Sequence, residues 1–173
     1  NPTQADLDND GVGDACDLDK DGDGISIPDD NCPNDIQSWI SFSWNDYDSD
    51  GCLDETMDDD DDDDSVLDIN DACPLGEKNW GENASTFDND GDGCHDDLED
   101  LDDDEDGIKD PMDRCPRGLI GIAQSGQDND GDGCIDAVED DDDDQDGVLD
   151  PLDRCPNTDN EQQASVNGCS PYQ

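Results

Sequence analysis

The chain has 173 residues, and its 56 acidic residues outnumber its 6 basic residues, which gives a formal net charge of −50. A surface with this charge repels nucleic acid and anionic membranes, so neither is expected as a partner and no membrane insertion is expected. Leu, Ile, Val and Phe supply only 26 of the 173 residues, about 15%, which excludes a conventional hydrophobic core and leaves cations and disulfides to order the chain.

Nine cysteines in a chain of this length are typical of an oxidising, extracellular setting. The single histidine, His95, argues against a zinc or haem protein, and we expect it to be a solvated loop residue without a catalytic role. We expect no enzyme, because general acid catalysis needs a desolvated carboxyl group in a pocket that so few apolar residues cannot build. Since the sequence begins at Asn1 without an initiator Met, we expect a processed chain or a piece of a longer one.

Four copies of one pattern follow each other along the chain, at residues 4–33, 44–74, 87–116 and 127–156. The last two align without a gap at a period of 40 residues. Each copy contains two twelve-residue loops of the form DxDxDGxxDxxD or DxDxDGxxDxxE. The first loops begin at Asp6, Asp46, Asp88 and Asp128, and the second loops begin at Asp19, Asp60, Asp102 and Asp142. The sequence therefore predicts four repeat pairs, at residues 1–45, 46–87, 88–127 and 128–173.

The run of seven aspartates at residues 58–64 resolves in this register. Asp60, Asp62 and Asp64 occupy positions 1, 3 and 5 of a loop, and Ser65 stands at position 6, where the other seven loops have glycine. Asp68 and Asp71 occupy positions 9 and 12. The alternative, a disordered acidic spacer, would have no reason to keep glycine at position 6 or a Cys-Pro pair after every second loop.

This spacing predicts calcium sites, about eight in number or more. Calcium takes six to eight oxygen ligands, and a loop supplies them from alternating side chains when its backbone turns sharply at position 6. Positions 1, 3, 5, 9 and 12 offer carboxylates and position 7 offers a backbone carbonyl. Magnesium, which demands a tighter octahedron, fits these crowded loops less well. The predicted ligands are Asp6, Asp8, Asp10, Val12, Asp14 and Asp17; Asp19, Asp21, Asp23, Ile25 and Asp30; Asp46, Asp48, Asp50, Cys52 and Asp54; Asp60, Asp62, Asp64, Val66, Asp68 and Asp71; Asp88, Asp90, Asp92, Cys94, Asp96 and Glu99; Asp102, Asp104, Asp106, Ile108, Asp110 and Asp113; Asp128, Asp130, Asp132, Cys134, Asp136 and Glu139; and Asp142, Asp144, Asp146, Val148, Asp150 and Asp153.

Two loops depart from the pattern. Met57 stands at position 12 of the 46–57 loop, so this site should be the weakest or should borrow Glu55 or Asp58. Ile27 stands at position 9 of the 19–30 loop. Consecutive loops within a pair are separated by only one or two residues, which leaves no room for the helices of an EF-hand.

The segment NPTQADLDNDGVGDACDLDKDGDGISIPDDNCP, residues 1–33, resembles the thrombospondin type 3 repeat almost residue for residue. The resemblance extends in register over nearly the whole chain, although the later copies move the first cysteine into a DGC sequence. It implies an irregular fold with little regular secondary structure, a calcium- and disulfide-stabilised wire or rod of tandem repeats without a hydrophobic core. It also implies that a loop can hold a second calcium ion.

In this family each Cys-Pro cysteine bonds the cysteine of the following loop. The resemblance thus implies the pairs Cys32–Cys52, Cys73–Cys94, Cys115–Cys134 and Cys155–Cys169. Cys16 is left over, and it has either lost an upstream partner by truncation or bonds another molecule. Residues 163–169, QASVNGC, keep the spacing of the 46–52 segment without its carboxylates, so we expect a cap that retains the disulfide and has lost the metal.

The connectors that follow each Cys-Pro pair contain the weakly charged sequence, including Trp39, Trp44 and Trp80. These side chains either pack over the adjacent disulfide as a miniature core or form contacts with a neighbouring module or chain. Asn83 begins an N-glycosylation sequon, which has meaning only if the source glycosylates.

These features favour a non-enzymatic, secreted or cell-surface structural protein: a calcium-ordered stalk, adhesive spacer or filament subunit. Its partners would be calcium and, through self-association into a filament or contacts with neighbouring modules of a longer chain, other repeats. The alternative is a secreted acidic calcium buffer or mineral-surface binder.

Overall fold

The computed structural model describes residues 4–35, 39–121, 127–136, 138–158 and 165–170. Within these ranges the regular secondary structure is a 3-10 helix, Gly81–Asn83, followed directly by a four-residue α-helix, Ala84–Phe87, and there is no β-strand. Neither helix in the described ranges has the length and apolar character that crossing a bilayer requires. The prediction of an irregular fold is confirmed.

The abundance of aspartate and glycine explains why helices and strands are so few. Aspartate side chains bond nearby backbone N–H groups, and glycine enters positive φ, so both favour turns over helices and strands. The one helical segment lies in a connector, where no DxDxDG loop competes with it. Its first turn forms when the Asn83 N–H donates to the Trp80 carbonyl at 2.8 Å.

The chain divides into two compact units. The first comprises Asn1–Phe87 and Gly91–Glu99. Its most buried side chains are carboxylates, not hydrocarbons: the exposed fractions of Asp23, Asp46 and Asp64 are 0%. The buried apolar residues around them are Cys52, Trp80 and Cys94.

The second unit comprises Asp88–Asp90 and Asp100–Gln173. It has the same kind of interior, because Asp104 and Asp144 are almost fully buried and Cys134 is its buried apolar residue. Leucine and isoleucine side chains such as Leu101 and Ile120 are exposed instead. In both units carboxylates and disulfides occupy the place of a hydrocarbon core. The division into four repeat pairs stays a prediction.

Each connector folds back onto the loop that precedes it. Three residues after the Cys-Pro cysteine, a backbone N–H donates to the Oδ2 atom of the position-3 aspartate of the second loop. The donor and acceptor pairs are Asp35 to Asp21 at 3.2 Å, Gly76 to Asp62 at 2.8 Å, Gly118 to Asp104 at 2.8 Å, and Thr158 to Asp144. This return fixes the direction of the chain between one loop pair and the next.

The aromatic residues of the connectors have different environments. Trp80 is buried, and its ring meets the His95 ring edge-on at a centroid distance of 5.4 Å. His95 also stacks on Phe87 at 4.8 Å and is only 7% exposed. The prediction of a solvated His95 is therefore wrong. The rings of Trp80 and Phe87 pack on His95 and bury it. The burial of Trp80 agrees with the packing alternative, whereas its packing over the disulfide stays a prediction.

Trp44 differs from Trp80, because it is 76% exposed and stacks on Phe42, which is itself 52% exposed. Its contact with a neighbouring module or chain stays a prediction. Trp39 is intermediate, and its Nε1 donates to both carboxylate oxygens of Asp35. Lys78 packs over the Tyr47 ring, with its Nζ 3.5 Å from the centroid, and also donates to the Tyr47 carbonyl.

Candidate metal centre

The turn at the middle of each loop is built by the position-5 aspartate. In all eight loops its Oδ1 accepts the N–H of the residue at position 7, at donor–acceptor distances from 2.6 to 3.0 Å. This bond closes an Asx turn around position 6. It commits one oxygen of the carboxylate to the backbone and leaves Oδ2 for another partner.

The two ends of each loop are joined by the backbone. The N–H at position 9 donates to the carbonyl of the residue immediately before the loop in all eight cases, at 2.8 to 3.2 Å. In six loops the position-9 aspartate adds a second closure, because its Oδ1 accepts the N–H at position 2; these aspartates are Asp14, Asp54, Asp68, Asp110, Asp136 and Asp150. Ile27 can make no such side-chain bond, but its own N–H still donates to Leu18 at 2.8 Å. The backbone closure explains why an apolar residue is tolerated there.

Side chains at positions 1, 3 and 5 converge as predicted. In the loops that begin at Asp6, Asp19, Asp46 and Asp60, one oxygen from each of the three aspartates lies within 4.8 Å of the other two. Three carboxylates at such distances repel one another unless a cation lies among them. Each of these four groups could therefore hold a cation.

Oxygens with no hydrogen-bond partner test whether calcium fits these loops. A buried carboxylate oxygen without a partner carries a large desolvation cost. Among the described residues, such atoms occur at positions 1, 3, 5 and 12 of several loops: Asp6 Oδ1, Asp21 Oδ1, Asp23 Oδ2, Asp30 Oδ2, Asp46 Oδ2, Asp62 Oδ1, Asp64 Oδ2, Asp71 Oδ2, Asp102 Oδ1, Asp106 Oδ2, Asp113 Oδ2, Asp142 Oδ1 and Asp146 Oδ2. Hard oxygen donors in this number fit calcium, which would supply the missing positive charge.

The pKa values of several aspartates in the first unit show the same lack of nearby positive charge. Desolvation by burial, followed by repulsion from neighbouring carboxylates, raises the pKa of Asp64 to about 7. The same causes raise the pKa of Asp48 and of Asp61 to about 7, and that of Asp23 to about 6. Without a cation, these four aspartates therefore release their protons at a higher pH than free aspartate, which releases its proton near pH 4.

Position 12 of the second loop connects each loop pair to the next. The Oδ1 atom of Asp113 accepts the Cys115 N–H at 2.7 Å, and Asp30, Asp71 and Asp153 make the equivalent bond. The same carboxylates lie directly against the glycine of the following DGC or NGC sequence. A Cβ atom built on Gly133 would lie 2.1 Å from Asp113 Oδ1, and one on Gly168 would lie 1.7 Å from Asp153 Oδ1. A predicted ligand of one loop thus packs on the turn of the next.

The four disulfides have the pairing that the resemblance implies: Cys32–Cys52, Cys73–Cys94, Cys115–Cys134 and Cys155–Cys169. Each lies beside a backbone hydrogen bond from the residue before the Cys-Pro cysteine to position 5 of the next loop, as from Arg114 to Asp132 at 2.9 Å. In the cap the same bond runs from Arg154 to Asn167 at 3.1 Å, which confirms that the cap retains its disulfide. Gln163 lies outside the described residues. Cys16 is exposed and has no disulfide partner among the described residues.

An aspartate at the end of each first loop bonds the first residue of the second loop. Asp17, at position 12 of the 6–17 loop, accepts the Asp19 N–H at 3.0 Å. Asp58, Asp100 and Asp140 make the same bond to the residue two positions later, at 2.9 to 3.0 Å, although they stand at position 13. Met57 is 41% exposed. Asp58 thus has the place that Asp17 has in the first copy, which agrees with the expectation that the 46–57 loop borrows it.

The predicted closers Glu99 and Glu139 face the connectors. Glu99 accepts the Glu77 N–H with both carboxylate oxygens, at 2.9 and 3.0 Å. A Cβ atom on Gly118 would lie 2.9 Å from the Oε1 atom of Glu139. Their role as metal ligands stays a prediction, as does that of the position-7 carbonyls.

A further carboxylate group was missed by the sequence prediction. Asp54, Asp58 and Asp61 each place one oxygen within 4.8 Å of the other two. Asp58 Oδ2 and Asp61 Oδ1 are buried without a hydrogen-bond partner. A signal existed in the sequence: Asp17, Asp58, Asp100 and Asp140 all stand two residues before the start of a second loop.

The predicted 88–99 loop is divided between the two compact units. Asp88 and Asp90 belong to the second unit, whereas Asp92, Cys94, Asp96 and Glu99 belong to the first. The 88–99 site therefore stays a prediction.

A scan against protein-family models matches the thrombospondin type 3 repeat at residues 5–37 and 125–163. A search of curated proteins found no matching relative. Repeats of this type are calcium-binding, non-enzymatic modules that occur in extracellular proteins. The matched segments contain the loops that begin at Asp6, Asp19, Asp128 and Asp142 and the Cys-Pro cysteines Cys32 and Cys155, so these two parts of the chain are similar to thrombospondin type 3 repeats.

Proposed function

We propose that this chain is a non-enzymatic structural protein of the extracellular space, ordered by calcium and serving as a stalk, an adhesive spacer or a filament subunit. One observation carries the proposal: the interior consists of aspartates, several of them 0% exposed, whose inward oxygens lack hydrogen-bond donors. A bound cation would satisfy such groups at neutral pH. About eight calcium ions would bring the formal charge from −50 to −34.

The disulfides support a secreted or cell-surface location. Four bonds join residues 14 to 21 positions apart, and such bonds persist in oxidising compartments. They also hold successive loops together, which a structural element under load requires and a simple calcium reservoir does not.

Burial favours this structural role over the acidic buffer or mineral-surface binder. A mineral face binds carboxylates that reach the surface, whereas Asp23, Asp46, Asp62 and Asp64 are at most 1% exposed. These side chains can serve an enclosed ion and cannot reach an extended lattice.

Contacts between copies, or with neighbouring modules, belong to the same proposal. The stacked pair Phe42 and Trp44 and the nearby Ile40 are all more than half exposed, in a chain with few large apolar residues. An exposed apolar patch of this kind supports an interaction surface. Sedimentation of the native chain and of Trp44→Ala over a range of concentrations in calcium tests it, since association that Trp44→Ala leaves unchanged would exclude this surface.

The function is tested by measuring bound calcium and hydrodynamic size together, with disulfides intact and after reduction. We expect about eight or more ions in the intact chain, a smaller hydrodynamic radius with calcium than with chelator, and weaker binding after reduction. Calcium binding and crystal-growth inhibition that both survive reduction would favour the buffer or mineral binder. Identical radii with and without calcium would exclude the calcium-ordered fold.

A further inference from the structure

The 128–139 loop differs from the other described loops in the partners of its carboxylates. The Arg114 Nη1 atom lies 3.0 Å from Asp132 Oδ2. The Gln145 Nε2 atom donates to the same oxygen at 2.9 Å and to Asp130 Oδ2 at 2.8 Å. The Oδ1 atoms of Asp132 and Asp130 accept backbone N–H groups from Cys134 and Asp132. Position 3 and position 5 of this loop therefore have all four oxygens bonded to the protein itself.

The position-3 aspartates Asp104 and Asp144 also have both oxygens bonded, but only to backbone N–H groups. The position-5 carboxylates of the 46–57 and 142–153 loops lack the charged side-chain compensation that Asp132 has. In the 46–57 loop, Asp50 Oδ2 accepts only the neutral amide of Asn31, at 2.8 Å, and Asp46 Oδ2 is buried without a hydrogen-bond partner. In the 142–153 loop, which follows directly, Asp142 Oδ1 and Asp146 Oδ2 are likewise buried without one. Among the described residues of the 128–139 loop there is no oxygen of this kind.

Gln145 stands at a loop position whose side chain lies next to the preceding loop. Gln145 stands at position 4 of its loop with φ 54°, and Gly22 stands at the same position of the 19–30 loop with φ 78°. A Cβ atom on Gly22 would lie 2.9 Å from the Asp8 Cβ atom, and Asp8, like Asp130, occupies position 3 of the loop before. Asp63 and Glu105 stand at position 4 of the remaining second loops, so Gln145 is the only amide at this position.

Arg114 likewise stands at a recurring position, immediately before the Cys-Pro cysteine. The corresponding residues are Asn31, Ala72 and Arg154. Of these four residues, Arg114 alone brings a full positive charge to a loop that has aspartate at position 5. Arg154 is also charged, but it precedes the cap, in which Asn167 stands where the loops have this aspartate.

We propose that Arg114, assisted by Gln145, is an internal counter-cation of the 128–139 loop, so that this loop fills with calcium last and releases it first. The proposal rests on the proposed calcium-binding function and concerns the regulation of one of its sites. A calcium ion at this loop must displace the guanidinium from Asp132, because two cations cannot share a carboxylate without repulsion. The Arg114 side chain is 57% exposed and can move into solvent, whereas Asp132 is 8% exposed and stays in place. The loop keeps its turn in either state, and its occupancy reports the calcium concentration.

Nuclear magnetic resonance resolves the two kinds of loop in one calcium titration at constant ionic strength. The Gly133 amide, which donates to Asp128, reports on the compensated loop, and the Val66 amide, which donates to Asp64, reports on an uncompensated one. In the native chain we expect the Gly133 midpoint at a higher calcium concentration than the Val66 midpoint. In Arg114→Ala the Gly133 midpoint should fall on the order of fivefold, since an exposed ion pair is worth up to about 1 kcal/mol. The Val66 midpoint should not change.

Two further variants control the result. Arg154→Ala removes the same charge from the same local sequence and should leave the Gly133 midpoint unchanged. Gln145→Glu introduces the carboxylate that Glu105 provides in the preceding second loop, and should lower the Gly133 midpoint. At a calcium concentration that fills the Val66 loop but not the 128–139 loop of the native chain, a third variant, Gln145→Ala, should exchange its Gly133 amide faster than the native chain unless calcium has already entered the loop. A lower Gly133 midpoint in Arg114→Ala, without any loss of protection in saturating calcium, separates a counter-cation from a residue that is merely stabilising.

The outcomes distinguish this inference from the proposed function. If Val66 responds to calcium while Arg114→Ala leaves the Gly133 midpoint unchanged or raises it, the counter-cation is wrong and calcium binding stands. An equal shift in Arg154→Ala would also overturn the counter-cation, because it would mean a general effect of net charge. If neither amide responds to calcium, both proposals fail.

Discussion

Glycine at position 6 meets two separate demands. Gly133 and Gly147 have φ 93° and 91°, so each holds a backbone conformation that favours glycine. Only Gly133 also lies against a carboxylate, because its missing Cβ would meet Asp113 whereas that of Gly147 would meet nothing within 4 Å. Ser65 stands in a second loop, at the kind of position where only the backbone demand applies, and it accepts φ 82°. The distinction explains why the one exception to glycine occurs there.

Alanine substitutions at the two glycines separate these demands. Gly147→Ala should cost about 1–2 kcal/mol in free energy of unfolding, the usual cost of a left-handed residue with a Cβ. Gly133→Ala should cost clearly more and should also weaken calcium binding, because the new methyl group displaces Asp113. Thermal unfolding in calcium, compared with calcium titration of each variant, measures both effects. Equal losses of stability with unchanged calcium binding would contradict the steric account.

We expect Asp58 to supply the ligand charge that Met57 cannot. It lies near Asp50, Asp54 and Asp60, and burial raises its pKa to about 6. Asp58→Asn should therefore lower the calcium affinity of the second repeat by on the order of tenfold, since the charge of the ligands sets affinity. Asp59→Asn is the matched control, because it removes the same charge from an exposed neighbour. Calorimetric titration that gives the two variants equal affinity would remove Asp58 from the site.

At the scale of the element, the repeating unit is a loop pair closed by backbone bonds and joined to the next pair by a disulfide. Asp113, the Cys115–Cys134 bond and the Gly133 turn form one junction of this kind. Because loop closures of this length are worth about 3 kcal/mol, each bond contributes more than any single hydrogen bond around it.

Replacing both Cys115 and Cys134 with serine tests the junction. The free energy of opening, measured by hydrogen exchange of the Arg114 amide in calcium, should fall by about 3 kcal/mol. The Asn79 amide, which donates to Asp62 in the first unit, should keep its protection as an internal control. An unchanged free energy of opening at the Arg114 amide would mean that the metal sites alone hold the loops in register.

The sequence predicted what depends on local spacing. Positions 1, 3 and 5 of a loop are close in sequence, so the convergence of Asp60, Asp62 and Asp64 follows from the register alone. The disulfide pairs followed from the resemblance to a known repeat. The burial of His95 could not be predicted from local spacing. It depends on where a connector with its own short helical segment places Trp80 and Phe87. The sequence suggested Asp58 only as a substitute for Met57. The equivalent aspartates Asp100 and Asp140 were missed, because the loops were counted from the start of the first loop and not back from the start of the second.

At the scale of the whole molecule, stability is set by charge. Desolvation and mutual repulsion raise the pKa values of buried aspartates such as Asp48, Asp61 and Asp64 above the value of about 4 expected in the unfolded chain. A folded state with raised carboxyl pKa values binds more protons than the unfolded state. Its stability is therefore fully present below about pH 4 and is lost as the pH rises through about 6 to 7.

The calcium-free chain should consequently expand as the pH rises. In chelator, the radius of gyration measured by small-angle X-ray scattering should increase between about pH 4 and pH 7. In excess calcium it should remain nearly constant above about pH 6, because the ion replaces the protons. A calcium-free radius that does not depend on pH would show that the carboxylates are not what opposes folding.

The amide spectrum of the disulfide-intact chain at neutral pH, recorded in calcium and again after chelation, tests most directly whether divalent cations form the interior. The position-7 amides of Val66, Ile108 and Val148, which bond the position-5 carboxylates, are the reporters. We predict dispersed, exchange-protected signals in calcium and their collapse into rapidly exchanging signals after chelation. Protected signals that keep their positions in a chain free of divalent ions would contradict the account.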